Sequence, residues 1–419
     1  MSSSIPNAVP AVIRPLIRGR ALALVGILLV AVNLRTLNAM TSPIIPLINQ
    51  SFPVPTLAVS VLGTTLPLAF AIVALVAPRV SGRLGLEPTM LLALGLMLAG
   101  QLVRIASPNW QILSAGTLIA AFGTGLANVV MSPIVKKYFP DRIGLMTTVY
   151  MSTLMIFQAI PAFTSVPVSE AFGWRSNLTL WAVIALTAII PWLIEVRSPA
   201  ARAAAAHAAN SPRTRITRFP VWKSPTGIAI ALMLAIVTVD AYAMFAWLPT
   251  IMVDLAGVDL ASSGALTGVF ALGGLISSLT VPWMVARFKK TYVFVLVSIA
   301  LALIGYCGLL LSPSVGTILW AACLGVSPML FPLSMALINL RTRSPEVSLS
   351  LSGFSQVLGY GLAVLGPLGV GILHEATGGW TWVLIALAAK SLLLIFCAVV
   401  LAREALVEDD VRMPATSAS

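Results

Sequence analysis

Two residues of opposite charge stand where charge is least tolerated. Arg35 lies near the middle of one long apolar run and Asp240 near the middle of another. On insertion scales a charged side chain at the centre of a bilayer costs roughly 2.5–3.5 kcal/mol, so such a residue faces a partner or a water-filled cavity. A guanidinium there presents a planar fork of donors to an anion. A carboxylate there balances such a cation or carries a proton; the plainer alternative is a structural ion pair between the two. Polar companions recur at helical spacing. Arg35, Asn38 and Ser42 (i, i+3, i+7) share one face, Thr124, Asn128 and Ser132 a second, and Gln356 and Tyr360 a third, while Tyr150 begins another run. Small polar residues either touch a solute or hold membrane helices together. Lys390 also falls inside an apolar run, without an evident partner.

Catalytic chemistry finds no support. His207 and His374 are far apart, and Cys307, Cys323 and Cys397 sit in apolar runs without paired spacing. No His/Cys/carboxylate cluster and no phosphate-cradling G-x-x-x-x-G-K-[ST] loop occur. An enzyme, an ATP-driven pump, a metal site and a bound cofactor are therefore not expected.

The elements that position these residues follow from composition. The 419 residues are 59% apolar and 9% charged, with a mean hydropathy of +1.00, whereas a soluble domain carries about a quarter charged residues. A chain with so few charges cannot cover its own surface with polar groups, so its solvent is lipid. Spans of about 20 apolar residues fall at 21–46, 57–78, 88–106, 110–135, 143–167 and 176–195, then at 225–252, 261–284, 291–311, 316–338, 349–374 and 380–402. With both termini inside, 21 of the 25 Lys and Arg residues lie on the cytoplasmic side, and Arg104 and Arg175 lie outside. Positive charge resists translocation, which makes that orientation the expected one and explains the net charge of +12 without nucleic acid.

The chain also repeats itself at an offset near 205. Pro140-Asp141 falls on Pro345-Glu346, and Trp174 falls close to Trp380. Arg35 and Asp240 share the same separation. Six-helix halves 21–195 and 225–402, a basic linker 196–224, and cytoplasmic tails 1–20 and 403–419 are thus expected, the plan of an alternating-access carrier.

Several segments resemble one family. Pro78-Arg79-Val80-Ser81-Gly82-Arg83-Leu84-Gly85 resembles the cytoplasmic loop of the major facilitator superfamily, with Gly82 where that loop usually carries an acid. Asn33-Leu34-Arg35, Ala127-Asn128-Val129-Val130-Met131-Ser132-Pro133, Phe139-Pro140-Asp141, Ala246-Trp247-Leu248-Pro249, Ser352-Gly353, Gln356 and Gly366-Pro367 resemble its cyanate and nitroimidazole transporter-like branch. The resemblance implies an all-α membrane protein of twelve transmembrane helices in two pseudo-symmetric bundles, whose first and seventh helices line a central cavity. It implies a secondary transporter of a small polar or anionic organic solute. Substrate contact is then expected from Arg35, Asn38, Asn128, Tyr150, Gln356 and Tyr360, charge balance or proton coupling from Asp240, and gating from Gly366 and Pro367. Trp247 is open between the cavity mouth and an interfacial anchor, His374 reads as a surface residue, and the Gly264/Gly268 pair reads as packing.

The expected partners are a small-molecule substrate, protons and the lipid bilayer, for a monomer in a bacterial inner membrane. A proton-antiport exporter of drug-like or heteroaromatic compounds, a channel, and a transport-derived sensor are the alternatives. The orientation is directly testable. A cysteine placed in the 196–223 linker is expected to label only from the cytoplasm, and one beside Asp259 only from outside; labelling of both from one side contradicts the topology.

Overall fold

A computed structural model describes residues 20–197, 219–288 and 290–412; most of the basic linker and both chain ends lie outside the described residues. Eleven helices among the described residues are long and apolar enough to cross a membrane. The first span completes the set in pieces, as Ala21–Asn33, Thr36–Thr41, Ser42–Ile44 and Ile45–Asn49. The next five are Thr56–Leu84, Leu86–Ile105, Trp110–Tyr138, Ile143–Phe172 and Trp174–Val196. Spans seven to nine are Pro225–Ala256, Leu260–Arg287 and Thr291–Leu311. The tenth, Thr317–Leu340, is interrupted by a 3-10 turn at Ser327–Met329, and the eleventh is split into Pro345–Ala363 and Leu365–Thr377. The twelfth comprises Thr381–Ser391 and Leu394–Leu401.

Span ends are set by local chemistry. Side chains of Asn109, Ser224, Asp259 and Ser344 accept the backbone N–H three residues on, filling donors a helix start leaves open. Gly257 and Gly378 close spans seven and eleven at φ +66, a conformation glycine adopts without steric penalty.

The repeat is visible in the contacts. Trp174 opens the sixth span and donates its indole N–H to Ser51, just past the first span (3.0 Å). Trp380 precedes the twelfth and donates to Asp254, at the end of the seventh (2.9 Å). These matched ties mark the end of the molecule opposite the basic loops.

Several close approaches of the two halves lie towards that far end. Ser42 donates to the Ala246 carbonyl. A methyl at Gly63 would overlap Ala246 and Pro367, one at Gly371 would overlap Ser60, and one at Gly268 would overlap the Phe163 ring. Gly264 and Gly268 therefore pack span eight onto span five, as their spacing suggests.

At the basic end a short helix, Val407–Arg412, ties the second half together. Glu408 accepts from the Arg343 and Ser344 amides (2.8 and 3.2 Å) at the start of span eleven. Asp410 accepts from the Ser224 hydroxyl and Thr226 amide (2.6 and 3.1 Å) at the start of span seven. Asp409 pairs with the Arg343 guanidinium at 2.8 Å.

Gly63→Val drives a side chain into the interface between halves. It is expected to destabilise the protein by about 1–3 kcal/mol, read as a lowered melting temperature in detergent. Gly95→Val, with open space beyond its Cα, is expected to change little.

Candidate functional site

Between the halves lies an open cavity whose empty space, its mouth included, is about 710 Å³. Span one contributes Arg35; span five, Met155 and Gln158; and span seven, Val237, Thr238, Ala241, Tyr242 and Phe245. Spans eight, ten and eleven add Phe270, Ser277, Ser278, Phe331 and Tyr360 among others. The close approaches at Ser42, Gly63 and Gly371 lie on its far side.

Arg35 follows the break after Asn33 in span one. The break occurs where the helix borders polar space, and the Asn33 and Thr36 side chains turn back to satisfy the Leu29 and Val32 carbonyls (2.8 and 2.7 Å). The Arg35 guanidinium lies within electrostatic reach of the Tyr242 and Tyr360 hydroxyls. The Tyr242 hydroxyl nonetheless lacks a well-formed hydrogen bond. Tyr360 is held edge-on against Phe70 (5.1 Å) and against Tyr242 (6.5 Å). No Asp, Glu or Lys is among the lining residues. The cavity thus pairs one cation with aromatic walls.

Of the residues singled out from sequence, Arg35 and Tyr360 line this cavity. Asn128 is half-buried and outside its lining. Tyr150 is buried in the core of the first half, sharing a hydrogen bond with Ser132. Gln356 donates to Ser352 on its own helix (2.9 Å) and does not reach the lining. The Asn38 side chain lies outside the described residues. Tyr242, Gln158, Ser277, Ser278, Phe270 and Phe331 carried no distinguishing sequence signal, because each reads as ordinary helix packing.

The expected contact between Asp240 and Arg35 is not made. Asp240 pairs with Lys390 at 2.6 Å and accepts the Tyr306 hydroxyl at 2.7 Å. Lys390 also donates to the Ile236 carbonyl (3.2 Å). Asp240 is two residues from Tyr242, about 200° round a helix of 3.6 residues per turn, so one faces the cavity and the other faces spans nine and twelve. Lys390 thereby gains the partner its sequence context does not reveal.

A profile of the Major Facilitator Superfamily matches residues 27–327. The chain belongs to the Major Facilitator Superfamily. It is 30% identical over 380 residues to the 2-nitroimidazole transporter of Escherichia coli (strain K12), covering 90% of this chain and 94% of that one. It is 25% identical over 377 residues to the cyanate transport protein CynX of the same strain, covering 89% and 95%. A crystal structure of a mutant nucleoside transporter NupG superposes with a TM-score of 0.74 at 13% identity, over 90% of this chain and 99% of that one. The protein is a multi-pass membrane transporter of the cyanate and nitroimidazole type, and it is not an enzyme.

Other side chains of this transporter find settled roles. Arg104, expected outside, is fully buried and donates to Gln101 (2.7 Å) and Thr41 (2.8 Å). Trp247 is buried and ties span seven to span eleven through the Pro367 carbonyl (3.0 Å), which removes the interfacial-anchor reading. His374 is not a free surface residue; it stacks on Trp380 with centroids 4.0 Å apart. Gly366 packs on the Val239 carbonyl beside the break in span eleven. Beyond Gly82 there is open space, and Glu87, five residues on, pairs with Lys137 at the basic end.

Removing one partner of a buried ion pair costs about 3–5 kcal/mol, whereas replacing both with apolar groups is often neutral. Asp240→Leu is expected to lower thermal stability sharply, and adding Lys390→Leu is expected to restore most of it. Melting curves of the single and double variants in detergent check this.

Proposed function

We propose that this secondary transporter carries a small organic anion, bound through the Arg35 guanidinium between Tyr242 and Tyr360. One observation carries the reading. Arg35 is a cation on the cavity wall, and no carboxylate lines that wall among the described residues. Inside a low-dielectric site an uncompensated guanidinium favours an anionic ligand with paired acceptors. The protein's relatives, a 2-nitroimidazole transporter and a cyanate transport protein, fit a small solute.

In this reading the basic end is cytoplasmic in a bacterial inner membrane, so the cavity opens inward and the packed far end closes the outer path. Asn38, Asn128, Tyr150 and Gln356 approach the solute when the halves rearrange. The split at Val364 beside Gly366 and Pro367 is the bend that permits closure. Asp240 serves as the partner of Lys390, holding spans seven, nine and twelve as one body. The carrier works as a monomer, because each half supplies part of one cavity.

Lysine preserves the charge of Arg35 but not its fork of donors. In proteoliposomes, Arg35→Lys is expected to raise the KM for anion uptake about tenfold or more, and Arg35→Ala to abolish saturable uptake. Both variants are expected to insert and melt normally. Unchanged anion affinity in Arg35→Ala would remove the residue from the site.

A further inference from the structure

The rest of the cavity wall bears on what kind of anion fits, given the reading that Arg35 holds the charge. Side chains from six spans line the cavity. A three-atom anion would touch little of that wall. Five of the lining side chains are aromatic: Phe245, Phe270, Phe331, Tyr242 and Tyr360. Phe245 and Phe270 pack edge-on with centroids 4.8 Å apart, holding fixed ring surfaces towards the cavity. Aromatic pairs contribute about 0.5–1.5 kcal/mol beyond the area they bury, so a flat ring gains where an aliphatic body of equal size does not.

The hydroxyls give a second constraint. A hydroxyl has one proton and two lone pairs. Ser278 spends its proton on the Gly274 carbonyl (2.9 Å), and Ser277 spends its own on Gly273 (2.9 Å). Thr238 is directed at the carbonyls of Leu234 (2.8 Å) and Gly359 (3.0 Å). With their protons committed to backbone, these hydroxyls offer a ligand lone pairs only. Ser277 and Ser278 belong to span eight, on the wall it forms with span ten, whereas Arg35 belongs to span one beside the tyrosines of spans seven and eleven. The cavity is therefore donor-rich at the guanidinium and acceptor-rich along the span-eight wall.

We propose that the solute is a planar aromatic monoanion bearing a hydrogen-bond donor, a hydroxyl or amino group, on the ring edge away from its charge. The anion meets Arg35, the ring lies among the phenylalanines, and the donor meets Ser278.

The test is competitive binding to the purified full-length transporter by benzoate, cyclohexanecarboxylate, cyanate, 3- and 4-hydroxybenzoate and the matching methoxybenzoates. Benzoate is expected to bind at least tenfold more tightly than cyclohexanecarboxylate or cyanate. At least one hydroxybenzoate is expected to bind at least tenfold more tightly than its methoxy counterpart. Ser278→Ala is expected to bring that hydroxy-to-methoxy ratio towards one. Equal binding of hydroxy and methoxy compounds, of benzoate and cyclohexanecarboxylate, or of benzoate and cyanate overturns the proposed class. A ratio unmoved in Ser278→Ala overturns the assignment of the donor's partner. If no anion binds, or if binding survives Arg35→Ala, the anion reading itself fails.

Discussion

Charge in the hydrocarbon layer must be answered by opposite charge, by hydrogen bonds or by water, and the architecture of this transporter follows from how its internal cations are answered. Lys390 meets Asp240 and the Ile236 carbonyl, and Tyr306 completes the carboxylate. Arg104 meets two neutral oxygens within the first half. Arg35 faces a cavity, with tyrosine hydroxyls nearby. The first two arrangements satisfy the charge inside one half and bind helices together. The third leaves the charge available between the halves, which is where a solute can reach it.

The same economy governs the backbone. A carbonyl or amide released by a helix break is tolerated at membrane depth only where it is buried in protein or borders a polar space. Span one breaks just before Arg35, and span ten breaks at Ser327–Met329, where Pro328 lines the cavity. Span twelve breaks directly after Ser391, beside the Lys390 ion pair. These three interruptions fall beside the cavity or beside buried charge.

Much of this was legible in the sequence, because lipid imposes simple rules. Run length locates the spans, and the offset of Trp174 from Trp380 reports a repeat that the Ser51 and Asp254 ties make physical. Arg35 declared itself by being charged at mid-span. What could not be read was which way a side chain turns. Arg35 and Asp240 share the offset of the repeat, yet equivalence between halves places residues in matching positions and not in contact. Thr238, Tyr242 and Phe245 recur at i, i+4 and i+7 on the cavity face, but in so apolar a helix every face looks alike. Ser277 and Ser278 sit in a Leu-Ile-Ser-Ser-Leu stretch that reads as close packing, and their committed protons appear only in three dimensions.

The acidic turn at the basic end has a consequence for how the protein is made. The carboxylate that closes the start of span seven is supplied 186 residues downstream of Ser224, and the one that closes span eleven by Glu408. Ribosomes deliver on the order of 5–20 residues per second, so the Ser224 hydroxyl and Thr226 amide wait roughly ten seconds or more for that carboxylate. Insertion of the second half therefore runs ahead of its completion. Its helices enter the membrane one after another, while the Glu408 and Asp410 ties at the starts of the eleventh and seventh form only when Val407–Arg412 leaves the ribosome.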